Sequence, residues 1–130
     1  APHVGGDLGK RTGLFGRHDR EDVLRMSATP MTLSLEKLKA DGYVPFKTEH
    51  WNAFARIRQD LFGFCDLLAL KKGEVVGIQC TSWDNVSSRV KKIADHENTP
   101  IVRDAGIRIL VWGWKKAGRG KWEMREVDCS

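Results

Sequence analysis

Asp66 is the residue in this sequence that points most clearly to chemistry, because it is a carboxylate inside the apolar run LFGFCDLLAL, residues 61–70. An ionised carboxylate among apolar residues is costly unless it is paired or bound to a metal ion. Gln79 and Thr81 occupy alternate positions of a second β-rich run, VVGIQCT, residues 75–81, and alternate side chains of a strand share a face. If the two runs pair, Asp66, Gln79 and Thr81 converge, and a Gln carbonyl oxygen is a suitable ligand for a hard cation.

Each of these residues also has a purely structural interpretation. Asp66 could bond backbone amides near a strand end, and Gln79 with Thr81 could form a solvent-facing polar pair on a half-exposed sheet. We favour a functional role for Asp66, because burial of an unpaired charge needs a reason. Spacing alone leaves both interpretations of Gln79 and Thr81 open.

The elements that position these residues begin after a Gly-rich segment. Residues 1–30 hold five of the thirteen Gly and predict a loosely ordered leader, followed by a single domain over residues 31–130. Thr32 or Ser34 could cap a short helix that ends at Asp41-Gly42. Residues 43–51 then predict a first strand, followed by a polar and basic turn up to Asp60.

The remaining strands follow from the apolar runs. Residues 61–70 and 75–81 are separated by a short connection that suits an antiparallel hairpin. Asp84 or Asn85 can cap a helix over VSSRVKKIADH, and a fourth strand follows at residues 107–114, with a fifth at 122–127. A strand, helix and strand crossover makes the third and fourth strands parallel. The sequence therefore predicts an α/β fold with a mixed central sheet: helix, three-stranded antiparallel meander, helix, parallel fourth strand and a C-terminal extra strand.

The net charge and the composition limit the classes of partner that this chain is expected to bind. The net charge of +5 and the isoelectric point near 9.3 favour an anionic partner such as nucleic acid. The sequence has no run of about 18 apolar residues, so we expect no membrane partner. Its three Cys are widely spaced without a CxxC pair, which argues against structural zinc and predicts a reducing cytoplasm.

Taken together, Asp66 and this order of elements resemble the PD-(D/E)XK nuclease superfamily, which has a restriction endonuclease-like or Holliday junction resolvase-like core. The segments RQDLFGFCDLLAL and GIQCTSWDNVSSRVKKI are similar to an uncharacterised phage and bacterial branch with a Gln-x-Thr-Ser motif. The resemblance covers residues 31–114, with Asp66 at the Asp of the second core strand. It implies a metal-dependent endonuclease, a hydrolase of phosphodiester bonds in DNA, with Mg²⁺ or Mn²⁺ held by Asp66 and Gln79, and it allows a homodimer.

Two positions depart from the acidic-x-Lys motif of the superfamily. Gln79 stands where the motif has an acid, and Thr81 stands where it has Lys, so both a negative charge and the cation that would activate water are missing. Other elements could supply such charges, and the candidates are Asp60, Glu49, Glu36, Lys91 and Lys92. Glu36 ranks last among the acids, and each of them is individually more often a solvated surface carboxylate.

Basic and polar residues near the predicted site suggest contacts with phosphate. The amides at the start of the second helix can bind an anion, and the candidate contact residues are Arg56, Arg58, Ser82, Asn85, Arg89 and Lys92. Trp83 could pack or stack on a base. Two hypotheses compete with a nuclease: a catalytically inactive nucleic-acid-binding module with a nuclease-like fold, and an interaction domain whose basic surface is not specific.

Overall fold

A five-stranded mixed sheet forms the centre of the structure, a computed structural model that describes residues 28–130. In sheet order the strands are β1 (Val44–Lys47), β4 (Leu67–Lys71), β5 (Glu74–Ser82), β6 (Arg108–Gly118) and β7 (Lys121–Asp128). A separate two-stranded sheet consists of β2 (His50–Asn52) and β3 (Ile57–Gln59). The helices are α1 (Pro30–Ala40), α2 (Val86–Asp95), which follows the 3-10 turn Trp83–Asn85, and α3 (Thr99–Asp104). The fold is therefore α/β, as predicted.

Strand directions explain how the central sheet is built. β1 pairs antiparallel with β4, β4 pairs antiparallel with β5, and β5 pairs parallel with β6 through a connection that contains α2 and α3. The predicted hairpin, parallel pairing and C-terminal extra strand are thus confirmed. Residues Thr29–Lys115 and Glu123–Ser130 form the compact unit that contains all the residues discussed below, and the β6 and β7 ends Lys116–Trp122 belong to a second unit. Most of the predicted leader, residues 1–27, lies outside the described residues.

The central sheet carries a separate apolar cluster on each face. One cluster joins Leu38 of α1 to residues such as Ile78 of β5. The other joins Val86 and Ile93 of α2 to residues such as Val111 of β6. Because side chains alternate along a strand, Gln79 points away from the cluster that contains Ile78, toward the α2 side.

Two strand predictions were wrong in their bounds. Residues 43–51 form two strands, β1 and β2, and the segment read as a turn contains β3. Residues 61–66 form no strand; a tight turn with positive φ at Phe62 (61°) and Gly63 (94°) precedes β4. The apolar composition of this segment concealed the turn, because Phe is rarely found at positive φ.

The helix boundaries also differ from the prediction. Thr29 is the N-cap of α1, and Thr32 completes a capping box with it, so neither Thr32 nor Ser34 is the cap. Pro30 favours this earlier start because its fixed φ suits the first helical position. Asn85, rather than Asp84, is the N-cap of α2. The short helix α3 was not predicted. Among residues 28–130, no helix is long and apolar enough to cross a membrane.

Gly63→Ala is expected to destabilise the protein by about 2–4 kcal/mol, roughly twice the loss caused by Gly73→Ala, because left-handed backbone costs any L-residue about 1–2 kcal/mol. Both glycines have positive φ, 94° and 77°, but a Cβ at Gly63 would collide with the ring of His96, whereas at Gly73 nothing lies within 4 Å. The His96 ring is held by an edge contact with Phe64 and by the Asn98 amide. Urea denaturation of both variants measures the difference, and equal losses would show that the His96 ring moves aside without cost.

Candidate metal centre

Three carboxylates from three separate segments meet in the structure. One oxygen each of Glu49, Asp60 and Asp66 lies within 4.8 Å of the others. Asp66 is buried, and Glu49 and Asp60 are half-buried. Like charges this close repel one another unless a proton or a cation lies between them. The predicted additional acids Asp60 and Glu49 are thus brought to Asp66, whereas Glu36, on α1, is not part of this group.

Backbone hydrogen bonds fix Glu49 beside Asp66. The amides of Thr48 and Glu49 donate to the Asp66 carbonyl oxygen at 2.9 and 3.3 Å, and the Thr48 hydroxyl donates to the Cys65 carbonyl at 2.8 Å. The Asp66 amide in turn donates to the carbonyl of Ile78 in β5 at 2.8 Å. The segment after β1, the start of β4 and the middle of β5 are therefore joined at Asp66.

The tight turn after Asp60 brings this carboxylate to the same place. Leu61 and Cys65 exchange backbone hydrogen bonds of 3.0 and 2.8 Å, which close the loop between Asp60 and Asp66. Phe62, at the corner, has a φ of 61°, and the Asn98 side chain donates to its carbonyl at 2.9 Å. Backbone strain of this kind persists only where surrounding contacts hold it, and it is common at functional sites.

The two oxygens of Asp66 have different environments. The Gln79 side-chain amide and the Cys80 backbone amide both donate to Oδ2, at 3.0 and 2.9 Å. Oδ1 receives no hydrogen bond from the described residues. Two donors therefore orient the carboxylate through one oxygen and leave the other available for a ligand.

Gln79 contributes the second feature of a ligand site. Its side chain is 3% exposed, and its carbonyl oxygen Oε1 is buried without a hydrogen-bond partner among the described residues. A buried acceptor without a donor costs free energy, and native proteins rarely keep one without a reason. Oε1 belongs to the same amide group as the Nε2 that donates to Asp66 at 3.0 Å, so this unsatisfied acceptor lies close to the acidic group. The donor set contains only oxygen, which fits hard cations such as Mg²⁺ or Mn²⁺.

The electrostatics of Asp66 agree with this geometry. Burial raises the pKa of Asp66 to about 6, the charges of Asp60 and Glu49 also raise it, and the hydrogen bonds from Cys80 and Gln79 oppose the rise. The ionised form is therefore disfavoured in the metal-free protein, and a divalent cation would compensate for the excess negative charge.

Thr81 stands apart from this group. It is buried, with 5% of its surface exposed, and lies one alternate position beyond Gln79 on β5. Among the described residues, no hydrogen bond joins Thr81 to Asp66 or Gln79. The predicted convergence of three side chains is therefore seen for Asp66 and Gln79, and among residues 28–130 no hydrogen bond extends it to Thr81.

The predicted phosphate-binding residues take several positions. Arg58 Nε lies 3.7 Å from a Glu49 carboxylate oxygen, which places it at the edge of the acidic group, and Arg56 is exposed in the turn between β2 and β3. Ser82 and Asn85 are exposed and bonded to each other at 3.0 Å. On α2, Lys92 is exposed.

Arg89 differs from the neighbouring basic residues of α2. It is half-buried, and its Nε is buried without a hydrogen-bond partner among the described residues. By helical spacing it shares a face with Val86 and Ile93, which belong to the apolar cluster on the α2 side. Lys91, in contrast, is exposed and pairs with Asp95 at 3.3 Å.

The Trp83 ring is occupied by cations of this chain. Lys115 Nζ lies 4.2 Å from the ring centre, and the Arg125 guanidinium lies 5.7 Å from it. Cations at these distances are attracted to the face of an indole ring. These contacts favour the packing interpretation of Trp83 over a role in base stacking.

Fold and site together define an α/β protein with a mixed sheet and an acidic, oxygen-rich centre at the start of β4. In comparisons with known proteins, no family model, no curated protein and no solved structure matched this chain. The function is therefore inferred from the arrangement of the side chains.

Sequence reasoning missed the hairpin formed by β2 and β3. The signal for it was the turn residue Asn52, whose side chain accepts hydrogen bonds from the amides of Phe54 and Ala55, both at 3.0 Å. An Asn that caps the next amides in this way marks a turn. The polar residues around it gave the appearance of a simple loop.

Proposed function

We propose that this protein is a divalent-metal-dependent nuclease that hydrolyses phosphodiester bonds in DNA. The observation that carries the proposal is the group of carboxylates from Glu49, Asp60 and Asp66, together with the buried oxygen of the neighbouring Gln79, which no hydrogen-bond donor of the described part of the chain satisfies. Oxygen ligands of this number and type suit Mg²⁺ or Mn²⁺.

The order of the elements supports the same proposal. A restriction endonuclease-like core has the order helix, three-stranded meander, helix and parallel strand. The elements with this order here are α1, the meander of β1, β4 and β5, the helix α2 and the parallel strand β6. In the resemblance to the PD-(D/E)XK superfamily, Asp66 stands at the Asp of the second core strand and Gln79 at the acidic position of the third. Glu49 and Asp60 would supply the negative charge that Gln79 lacks.

Each side chain then has a distinct part in the proposed reaction. When bound, Mg²⁺ or Mn²⁺ would supply a water of lowered pKa and stabilise the charge that develops on the phosphate. Asp66, oriented by the two donors to its Oδ2, would be one ligand of the ion, and Gln79 would add a neutral ligand that leaves less negative charge to repel a phosphate. Arg58, at the edge of the group, would balance the charge of Glu49 and attract the DNA backbone.

A cleavage assay tests the proposed reaction. Single-stranded, duplex and branched DNA are incubated with the protein and Mg²⁺ or Mn²⁺, and the products are resolved by electrophoresis. We expect cleavage that a chelator abolishes and that Asp66→Asn reduces by at least about a thousandfold, because the ion supplies several kcal/mol to the transition state. Asp95→Asn, which removes an exposed carboxylate of α2, is the matched control and should cleave normally. Equal activity in Asp66→Asn would contradict the proposal.

The second candidate is a catalytically inactive module that binds nucleic acid. Gln79 and Thr81, which replace the acidic and Lys positions of the motif, are the observation that favours it. Such a module would bind DNA with an affinity that falls steeply with salt, because contacts to phosphate release counterions, and it would show no cleavage with either metal. A location in the cytoplasm and a homodimer remain predictions.

A further inference from the structure

The hairpin formed by β2 and β3 exposes large apolar side chains next to the acidic centre. Trp51 is 58% exposed, Phe54 is 99% exposed and Ile57 is 50% exposed. Ile57 pairs with Asn52, next to Trp51 on the same strand, so it lies on the opposite face from Trp51. Single exposed apolar residues are ordinary, but Trp51 and Phe54 place two large exposed rings within four residues of one hairpin, and these two rings form an apolar patch that can bind a partner.

The tip of this hairpin has a defined conformation. The Asn52 side chain accepts hydrogen bonds from the amides of Phe54 and Ala55 and donates to the Gln59 side chain at 3.1 Å. Asn52 therefore ties the turn to both strands, so that the ring of Phe54 is presented on a fixed turn.

The same hairpin is connected directly to the candidate metal centre. Glu49 precedes β2 and Asp60 follows β3, so two of the three carboxylates bracket it. Trp51 pairs with Arg58 across the two strands, and cross-strand partners lie on the same face of a hairpin. Arg58 Nε lies 3.7 Å from a carboxylate oxygen of Glu49. Trp51 is therefore on the same face of the hairpin as the Arg that contacts the acidic group.

The charges around the patch indicate the chemistry of its partner. Arg58 pairs with Trp51 across the hairpin, Arg56 lies two residues after Phe54, and Lys47 and His50 precede the rings in the chain. Aromatic rings interleaved with cations suit nucleotides, whose bases stack on the rings while their phosphates meet the guanidinium groups. A protein or second copy of the chain would need a larger apolar surface than one hairpin for a stable interface.

We propose that the hairpin binds unpaired nucleotides, stacking bases on Trp51 and Phe54 and holding phosphates with Arg56 and Arg58. This inference rests on the proposed nucleic-acid function and deepens it. Bases in a duplex are stacked on one another and cannot lie on protein rings, so the hairpin would direct a single strand, or the unpaired part of a branched one, to the acidic centre.

Fluorescence anisotropy with a labelled oligonucleotide tests the inference in the presence of a chelator, so that binding is measured without cleavage. Trp51→Ala combined with Phe54→Ala is expected to weaken binding of a single strand at least about tenfold, because the variant loses both rings on which bases would stack. A duplex of the same length should lose much less. Trp51→Phe should retain most of the affinity, and Ile101→Ala, which removes an apolar residue of α3 that is 66% exposed, should bind as the unmodified protein does.

The inference would be overturned by unchanged single-strand binding in the double variant, by an equal loss for the duplex, or by no binding of nucleic acid by the unmodified protein. A change of self-association in the double variant, measured by sedimentation velocity, would instead assign the hairpin to a contact between copies and would also overturn it. The failure of the proposed nuclease is distinguishable. If the protein binds single strands through the hairpin but does not cleave them, the result supports this inference and contradicts the proposed nuclease activity.

Discussion

Asp66→Asn is expected to make the metal-free protein more stable by about 2–3 kcal/mol at about pH 8, since each unit of pKa shift corresponds to about 1.4 kcal/mol. Burial and the nearby acids raise the pKa of Asp66 from 3.8 to about 6, so folding opposes its ionised form. Asn has almost the same shape, and its side-chain oxygen can still accept the hydrogen bonds from Gln79 and Cys80. Thermal unfolding with a chelator present should show a higher midpoint for the variant.

The pH dependence of this effect follows from the direction of the pKa shift. Between the unfolded pKa of 3.8 and the folded pKa of about 6, the native protein binds the proton more tightly than the unfolded chain does. The contribution of Asp66 to stability is therefore most favourable below this window and is lost as the pH rises through it. Asp66→Asn should remove that part of the decline, while Asp95→Asn should keep it. Unfolding of Asp66→Asn by several kcal/mol at every pH would identify Asp66 as a structural partner, the scale expected for a broken buried ion pair.

Gln79→Glu is expected to have the opposite effect on stability and to strengthen metal binding. The Gln79 amide that donates to Asp66 at 3.0 Å would be replaced by a carboxylate, so two buried negative charges would face each other. We expect the metal-free variant to lose about 3–5 kcal/mol at about pH 8, and less at about pH 5, where a shared proton restores a hydrogen bond. A divalent cation should bind at least about tenfold more tightly, because it gains a charged ligand.

Gln79→Leu distinguishes the effect of losing the side-chain amide from the effect of adding a negative charge. It removes the donor to Asp66 and the unpartnered oxygen together, so it should weaken metal binding where Gln79→Glu strengthens it. Chemical denaturation and calorimetry on both variants measure the two effects. Gln79→Glu with unmodified metal-free stability and unmodified metal affinity would show that this side chain does not face the acidic group.

The position of Asp66 and Gln79 on neighbouring segments could be predicted from the sequence. The apolar runs around them and the short connection between those runs specify an antiparallel hairpin, and this pairing brings the two side chains into contact at 3.0 Å. The parallel pairing of β5 with β6 followed from the helix between them. These features depend on local patterns and on simple rules of connection.

Glu49 and Asp60 could be named as candidate acids from the sequence, but their meeting with Asp66 could not be predicted from it. Their approach to Asp66 depends on the left-handed turn at Phe62 and Gly63 and on the amides of Thr48 and Glu49 that bond the Asp66 carbonyl. An apolar composition favoured a strand where the chain makes this turn. Tertiary hydrogen bonds, which join residues distant in the sequence, decided its conformation.

The burial of individual basic residues also could not be predicted from the sequence pattern. Lys91, Lys92 and Arg89 look alike on a basic helix, but only packing of α2 against the sheet determines which of them turns inward. The exposure of the Trp51 and Phe54 rings could not be predicted from the sequence either. Aromatic residues usually contribute to a core, and their exposure on the β2 and β3 hairpin becomes visible only in the folded chain.

Calorimetric titration with Mn²⁺ near neutral pH tests most directly whether the carboxylates of Glu49, Asp60 and Asp66 form a metal site. The unmodified protein and Asp95→Asn should both give a saturable binding signal, and Asp66→Asn, shown to be folded by circular dichroism, should give none. The absence of binding to the unmodified protein, or equal binding to Asp66→Asn, would contradict the assignment of this acidic centre as a metal site.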